Sequence, residues 1–495
     1  MLAESCGVFG AKCLNGRCVF DLLYWGLVAQ NHRGHESYGF LTFAEGFRRH
    51  VNVGLVPQIF GERYSRWRGF LQGSAGIAHV RYGTSGGRGA SSRLNDAQPL
   101  IASHGGEKIG FAFNGNIVNV NELRSRLKAS AGFEAGCDAA VLSKILAMSI
   151  EGGLMNGVER CMREVEGAFS VVGLSPSGEL FAFRDPLGIR PLSTGESEDG
   201  LVRAFSSETV GLDINGLRFT SDVKPGEIVV FSKDGVERER LVKKDMAAFC
   251  AFEYAYFARP DSMLNGKYVY SVREDFGRNL GKRFRDIVEK SDVILSMPET
   301  AEDAAYGLHE ETGLKWERVL RRHRYVTQRA FILEPSERVS TIDKKVNIMN
   351  GRLNGKKVIV VDDSIVRGDT TRTVVRKLRR AGAERVYLFI TFPRITHPCF
   401  YGVDMATFTE LIGFRLDEEG VAKHVGADGV FYQPLEDYVR ATGLSLNELC
   451  LACVTGEYPT ELAQKMADAA KASVDFKDER RIYERTGLVK QEGSA

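Results

Sequence analysis

The sequence predicts an α/β chain divided into two or three domains, and three observations carry that prediction. At 495 residues it is too long for one hydrophobic core. Val358, Ile359, Val360 and Val361 form an unbroken β-branched run, the mark of a strand buried on both faces as in a parallel sheet. A helix and a second strand follow directly. Val374, Val375 and Leu378 fall on one side of the helix, with Arg376, Lys377, Arg379 and Arg380 mostly on the other; Gly382 stops it, and Val386 to Thr391 is the next strand. Val293 to Pro298 reads as another buried strand and Tyr270 to Phe284 as a helix.

Between the first strand and its helix stand two adjacent carboxylates, Asp362 and Asp363, then Arg367, Gly368, Thr370 and Thr371. Open α/β sheets bind ligands at this end of their strands. Backbone N–H groups at a helix start cradle phosphate, and threonine hydroxyls add donors. Paired carboxylates accept hydrogen bonds from vicinal ribose hydroxyls and help hold Mg²⁺ beside a pyrophosphate. On these residues alone, a buried strand whose aspartates merely cap the helix stays open. The run resembles the phosphoribosyl pyrophosphate signature of the type I phosphoribosyltransferases, above all that of the glutamine amidophosphoribosyltransferases. The resemblance implies a Rossmann-like domain, with Asp362, Asp363, Arg367, Gly368, Thr370, Thr371 and Lys345 binding substrate and Thr300, Asp362 and Asp363 holding Mg²⁺.

Composition excludes several classes. Apolar content of 43% and charged content of 26% are those of a soluble globular protein. A net charge of +2 gives no field for nucleic acid or an anionic membrane. No apolar run approaches the ~20 residues that span a bilayer, and Met1 to Ser5 lacks the basic and apolar regions of a secretory signal. Nine cysteines, an odd number, do not suggest a disulfide framework, so a reducing cytoplasm is expected.

The first half opens on Cys6-Gly-Val-Phe-Gly10, followed by Asn31-His-Arg-Gly-His-Glu-Ser37, Gly76-Ile-Ala-His-Val-Arg-Tyr-Gly-Thr84, Asn95-Asp-Ala-Gln-Pro99 and Phe113-Asn-Gly-Asn116. In order and spacing these resemble the class II glutamine amidotransferase domain, and Arg184-Asp-Pro-Leu-Gly-Ile-Arg-Pro191 and Asp222 to Glu227 extend the match to about residue 235. The resemblance implies an N-terminal-nucleophile hydrolase, a four-layer αββα sandwich, over residues 6–240, with residues 1–5 removed as a propeptide. Freed, Cys6 carries an α-amino group of reference pKa about 7.7–8.0, able to act as base for its own thiol. By the same resemblance Asn114 and Gly115 form the oxyanion hole, Arg81 clamps the substrate α-carboxylate, and Asp138 receives the α-amino group. The usual Ser/Thr-Asp-Ser/Thr-Glu run is here Cys137-Asp-Ala-Ala140, so the Asp stands without its polar neighbours.

Near residues 235–250 a charged stretch marks a junction. Four cysteines of the second half, Cys250, Cys399, Cys450 and Cys453, include one C-x-x-C pair. Four thiolates suit structural zinc or an iron–sulfur cluster, and spacing does not choose between them. Each falls on a cluster-ligand position of amidophosphoribosyltransferases that carry a [4Fe–4S] centre, which makes the cluster the expectation for residues 241–465. The family joins phosphoribosyl pyrophosphate, glutamine and water into 5-phosphoribosylamine, pyrophosphate and glutamate, opening de novo purine synthesis, often as a homotetramer. No nucleic acid or membrane partner is expected.

Departures cluster in this half. Pro298-Glu-Thr-Ala301 replaces Pro-Asp-Ser-Gly, keeping a hydroxyl at Thr300. The closing loop, Arg324-Tyr-Val-Thr-Gln-Arg-Ala-Phe-Ile332, is one residue longer than the usual pattern and lacks its Thr. Asp369 stands where relatives have Thr, placing a carboxylate at the phosphate loop. These departures keep two alternatives in view: a divergent paralogue with glutaminase activity and another acceptor, and a non-catalytic phosphoribosyl pyrophosphate sensor. Residues 466–495 read as a helix and a loose tail.

Overall fold

The structure, a computed structural model, describes residues 6–83, 90–131, 136–323, 346–349, 351–474 and 481–484. Its first domain is two antiparallel sheets laid face to face. One has seven strands in the spatial order Arg218–Asp222, Ser193–Glu196, Val202–Ser206, Gly7–Cys13, Ala75–Arg81, Ser37–Phe43, Phe47–Val53. The other has six, in the order Val236–Arg240, Glu227–Phe231, Leu180–Arg184, Gly167–Leu174, Glu107–Ile117, Leu100–His104.

Period-two placement of side chains builds the layers. Along Gly7–Cys13, Val8 enters the core between the sheets with Ile77, Ala112, Val172 and Phe205. Phe9, Ala11 and Cys13 face the opposite way, under the helices Phe20–Val28 and Gly61–Phe70. The second sheet is covered by Val120–Ala131, Asp138–Ser149 and Leu154–Glu164. The four-layer αββα sandwich is therefore present. Phe205 stacks on Phe231 at 4.3 Å and 8° across the inter-sheet core, each ring contributing roughly 1.5–3 kcal/mol by burial.

The second domain carries a parallel sheet in the order Val293–Ser296, Lys357–Asp362, Arg385–Ile390, Gly429–Tyr432. Helices Val269–Arg283, Glu302–Thr312, Asp369–Arg380 and Glu418–Val425 accompany it. The β-branched run is its second strand, buried on both faces as predicted. The helix after it ends at Arg380, and Gly382 takes a φ of +94° in the turn beyond. The helix Glu461–Ala472 starts ahead of the expected boundary at 466, and the stretch read as a loose tail has Ile482 and Tyr483 buried in the core.

The domains share a seam rather than a linker. The Cys250 N–H donates to the Ile189 carbonyl at 3.0 Å, beside the parallel pairing of Phe249–Cys250 with Leu449–Cys450 inside the second domain. One apolar cluster takes Val118, Ala168 and Ile189 from the first domain with Phe252, Phe400 and Tyr438 from the second. Within the seam lie four fully buried charges. Arg33 donates to Glu208 at 2.5 Å and grips Glu253 with two nitrogens at 3.0 and 2.8 Å. Arg190 donates to Glu253 at 3.1 Å and to the Tyr401 carbonyl at 2.9 and 2.6 Å. All four side chains have 0% exposure. Burial opposes the charge on Arg33, but Glu253 and Glu208 outweigh it and raise the guanidinium's pKa above its ordinary value.

Deleting the Glu253 carboxylate leaves Arg33 with Glu208 alone and takes from Arg190 the carboxylate it pairs with. A Glu253→Gln protein is expected to lose roughly 3–5 kcal/mol of stability, the cost of an uncompensated buried charge, seen as a lower urea midpoint. An unchanged midpoint would mean that the seam does not depend on the network.

Candidate active sites

The strand Gly7–Cys13 starts one residue after Cys6, so sheet pairing fixes where the thiol sits. Its Sγ lies against the Tyr82 backbone: it donates to the Tyr82 carbonyl at 3.5 Å and accepts from the Tyr82 N–H at 3.3 Å. Arg33 Nε donates to the Cys6 carbonyl at 3.0 Å. Burial pushes the thiol pKa up; the Tyr82 hydrogen bond and the Arg81 charge pull it down, while Asp138 and Glu36 add to the rise. The electrostatic neighbours of the thiol thus include Arg81 and Asp138, two of the residues picked out in the sequence.

Arg81 is buried, donating to Glu36 at 3.0 Å with Asp96 at 3.7 Å. Glu36 and Asp96 were not singled out from sequence, although both lie inside the quoted runs. Asp138 opens the helix Asp138–Ser149 and accepts from the Ala139 and Ile117 N–H groups at 2.9 and 3.4 Å. Backbone donors thus serve it where the sequence lacks the usual hydroxyls.

Asn114 and Gly115 lie on the strand Glu107–Ile117, opposite Ser170 and Phe169. Phe169 turns both backbone groups to Asp185: its N–H donates to the carboxylate at 3.1 Å and its carbonyl accepts the Asp185 N–H at 2.8 Å. Opposed residues in an antiparallel ladder exchange both bonds or neither. The Gly115 N–H therefore points away from that strand, as an oxyanion donor must.

A loop of the second domain rests on this edge. Asn116 donates to the Phe400 carbonyl at 2.9 Å. Gly402, at φ +98°, comes so near that a Cβ there would lie 3.3 Å from the Gly115 carbonyl. Further along, the Tyr82 hydroxyl donates to Asp404 at 3.2 Å, and Arg481 donates to the Gly83 carbonyl at 2.7 Å. None of these partners carried a sequence signal, because each reaches its site from a distant part of the chain.

At the carboxyl end of the parallel sheet, Asp363 accepts from Thr300 at 2.6 Å and from Ser364 at 2.5 Å, and its N–H donates to Asp362 at 2.9 Å. Burial raises both carboxyl pKa values, and Asp363 adds to the rise at Asp362. A cation at the pair would relieve that cost. Among the described residues no group of three or more Asp, Glu, His or Cys converges as a metal cage. Mg²⁺ needs none, since it is bound through one or two carboxylates, water and substrate phosphates, so Asp362, Asp363 and Thr300 fit it. Gly368, φ +85°, caps the helix that carries Thr370 and Thr371. Arg367 pairs with Glu410, while Asp369 is exposed in the first helical turn, turned to solvent. Lys345 and the closing loop lie outside the described residues.

The four second-half cysteines meet at the seam. Cys250 and Cys450 are directly paired across the two short parallel strands, and the Thr396 and His397 N–H groups donate to the Cys453 carbonyl near Cys399. Burial comes first in raising the Cys453 thiol, and Cys399, Cys450 and Cys250 each add to it. The four thiols are thus neighbours in one sulfur-lined region, which among the described residues is not drawn together as a ready metal-binding group.

Fold and sites together define a glutamine amidotransferase joined to a phosphoribosyltransferase. Residues 91–213 match the glutamine amidotransferase domain family. The amidophosphoribosyltransferase of Methanocaldococcus jannaschii is 36% identical over 92% of this chain and 98% of its own, and that of Bacillus subtilis 35% identical over 94% and 96%. The solved B. subtilis glutamine phosphoribosylpyrophosphate amidotransferase, complexed with ADP and GMP, superposes with a TM-score of 0.83 at 32% identity, covering 92% of this chain and 98% of that one. The chain belongs to the amidophosphoribosyltransferase family, glutamine-dependent glycosyltransferases of the first step of purine biosynthesis.

Because Asp369 faces solvent at a helix N-terminus, Asp369→Thr is expected to leave phosphoribosyl pyrophosphate affinity unchanged by calorimetry. Loss of the favourable helix-end charge should lower stability by about 0.3–1 kcal/mol. A large gain in affinity would place the carboxylate at the phosphate instead.

Proposed function

We propose that Cys6, Asn114, Gly115, Arg81 and Asp138 hydrolyse glutamine, and that the ammonia released is used at Asp362, Asp363, Arg367, Gly368, Thr370 and Thr371. The observation that carries this reading is the Cys6 thiol, seated on the Tyr82 backbone and within the fields of Arg81 and Asp138.

Removal of residues 1–5 exposes the Cys6 α-amine. It takes the thiol proton, which burial makes hard to lose unaided. The sulfur attacks the γ-carboxamide carbon, and negative charge on the carboxamide oxygen meets the Asn114 side chain and the Gly115 N–H. The amine returns its proton to the departing nitrogen, ammonia leaves, and water cleaves the γ-glutamyl thioester to glutamate. Arg81, oriented by Glu36 and Asp96, holds the substrate α-carboxylate, and Asp138 its α-amino group.

In the second site the helix start and Thr370 and Thr371 hold the 5-phosphate, and the Asp362–Asp363 pair takes the ribose hydroxyls. Ammonia forms a bond to the anomeric carbon as the bond to pyrophosphate breaks. Mg²⁺ held by Asp362, Asp363 and Thr300 would neutralise charge on the leaving pyrophosphate. Cys250, Cys399, Cys450 and Cys453 would hold a [4Fe–4S] cluster in a structural or oxygen-sensing role. Nine cysteines, none of them in a disulfide bond, suit the reducing cytoplasmic setting proposed here.

The test is product formation with glutamine and then with ammonia. Cys6→Ala is expected to abolish phosphoribosylamine synthesis from glutamine and retain it from ammonia, and the active wild-type protein should have the mass of a chain beginning at Cys6. Glutaminase activity without pyrophosphate release would favour the divergent paralogue, and absence of both activities the sensor. Protein purified without oxygen should contain iron and acid-labile sulfide in equal amounts; stoichiometric zinc instead would refute the cluster.

A further inference from the structure

The strand that carries Asn114 and Gly115 runs past the end of its neighbour. Leu100–His104 pairs with it only as far as Phe111. Beyond that point its outer edge has no ladder, although Phe113 and Gly115 both turn their backbone groups that way, by the alternation that also holds Phe169 to Asp185. A buried edge left open costs the desolvation of each polar group it leaves unmet.

Two side chains take the place of the missing strand. The Phe113 N–H donates to Gln98 Oε1 at 2.8 Å, and His79 Nε2–H donates to the Phe113 carbonyl at 2.9 Å. A carbonyl cannot donate, so the proton is on Nε2. His79 is 0% exposed and Gln98 3%. Burial holds the imidazole neutral, its pKa pushed down to about 3 despite the Phe113 hydrogen bond. Its Nδ1 has no hydrogen-bond partner among the described residues, an expense with no structural return on that side of the ring.

Gln98 is itself held on both flanks. Arg49 donates to the Ala97 and Pro99 carbonyls, at 2.6 Å each. Gly39 gives the Gln98 carbonyl room to settle on the first sheet, where a Cβ would approach it to 2.4 Å. His79 also belongs to the first sheet, in register with Gly39 and Val8. Both side chains therefore tie the edge of the second sheet to the sheet that carries Cys6.

We propose that His79 and Gln98 are positioning residues for the glutaminase reaction, fixing the Phe113 peptide so that Asn114 and the Gly115 N–H face the oxyanion formed by Cys6 attack. The inference rests on the oxyanion role of Asn114 and Gly115. His79 and Gln98 touch neither substrate nor sulfur. They set the strand edge two residues before the donor.

The experiment compares His79→Leu, His79→Gln, Gln98→Met and Asn114→Ala in the full-length enzyme. It measures kcat and KM with glutamine, activity with ammonia, and inactivation by a diazoketone analogue of glutamine, whose KI reports binding and whose maximal rate reports attack by Cys6. Misplacing the donor is expected to lower kcat and the inactivation rate together by about 10-fold to 100-fold, with KM, KI and ammonia-dependent activity unchanged. His79→Gln, which presents an N–H near the same point, should restore most of the loss. The proposal is overturned if Gln98→Met and His79→Leu change KM and KI alone, if they lower ammonia-dependent activity in parallel, or if His79→Gln is no better than His79→Leu. If His79→Leu fails to fold, Gln98→Met decides by the same criteria. If Asn114→Ala leaves kcat and the inactivation rate intact, the oxyanion assignment itself fails; if only Asn114→Ala lowers them, the clamp alone is refuted.

Discussion

The molecule depends on two arginines and two glutamates that never meet water. Arg33 and Glu208 come from the first domain and Glu253 from the second, with Arg190 bridging from the first to the Tyr401 carbonyl. Such a set is poor evidence for stability by itself, because desolvation offsets much of the Coulombic attraction. Its value is geometric. Planar guanidinium forks tolerate few arrangements, and these forks reach from the Cys6 carbonyl at one end to the loop after Cys399 at the other. Cys6 and the sulfur-bearing loop are therefore held by the same charges.

That arrangement accounts for the way the two reactions are housed. Each domain has its own core and binding motif, but the surroundings of Cys6 draw on residues of the second domain and the C-terminal segment. Asp404 of the second domain meets Tyr82 beside the thiol, and the C-terminal Arg481 holds the Gly83 carbonyl. On the other side, Arg367 of the phosphate loop is tied to Glu410, a few residues beyond Asp404. The 399–410 segment thus touches both sites.

How much of this was legible in the sequence varied with the physics of each part. The parallel strand could be read directly, since burial on both faces leaves an unbroken β-branched run, and Asp362, Asp363, Gly368 and the threonines are contiguous with it. The antiparallel sheets were harder. Gly7–Cys13 is buried throughout, so it lacks the apolar–polar alternation that identifies a half-exposed strand, and the sandwich was reached through motif resemblance. Asp369 was ambiguous in sequence because its direction depends on a helix phase that only coordinates supply. The buried charge network was invisible, as an isolated Arg or Glu reads as a surface residue. Glu410, Asp404 and the buried Ile482–Tyr483 pair act across long sequence separations and leave no local pattern.

The closeness of Gly402 to Gly115 bears on how such a protein can change over evolutionary time. At φ +98° a Cβ on Gly402 would meet the Arg190 guanidinium at 2.8 Å and the Gly115 backbone at 3.3 Å, so a substitution there would need compensating shifts in the first domain. Recombination that exchanged the first domain for a distant homologue's would bring together a Gly115 strand and a sulfur-bearing loop that had not been fitted to each other. A lineage can retune either substrate pocket freely at its outer rim. At this contact a change in one half would have to be fitted to the other.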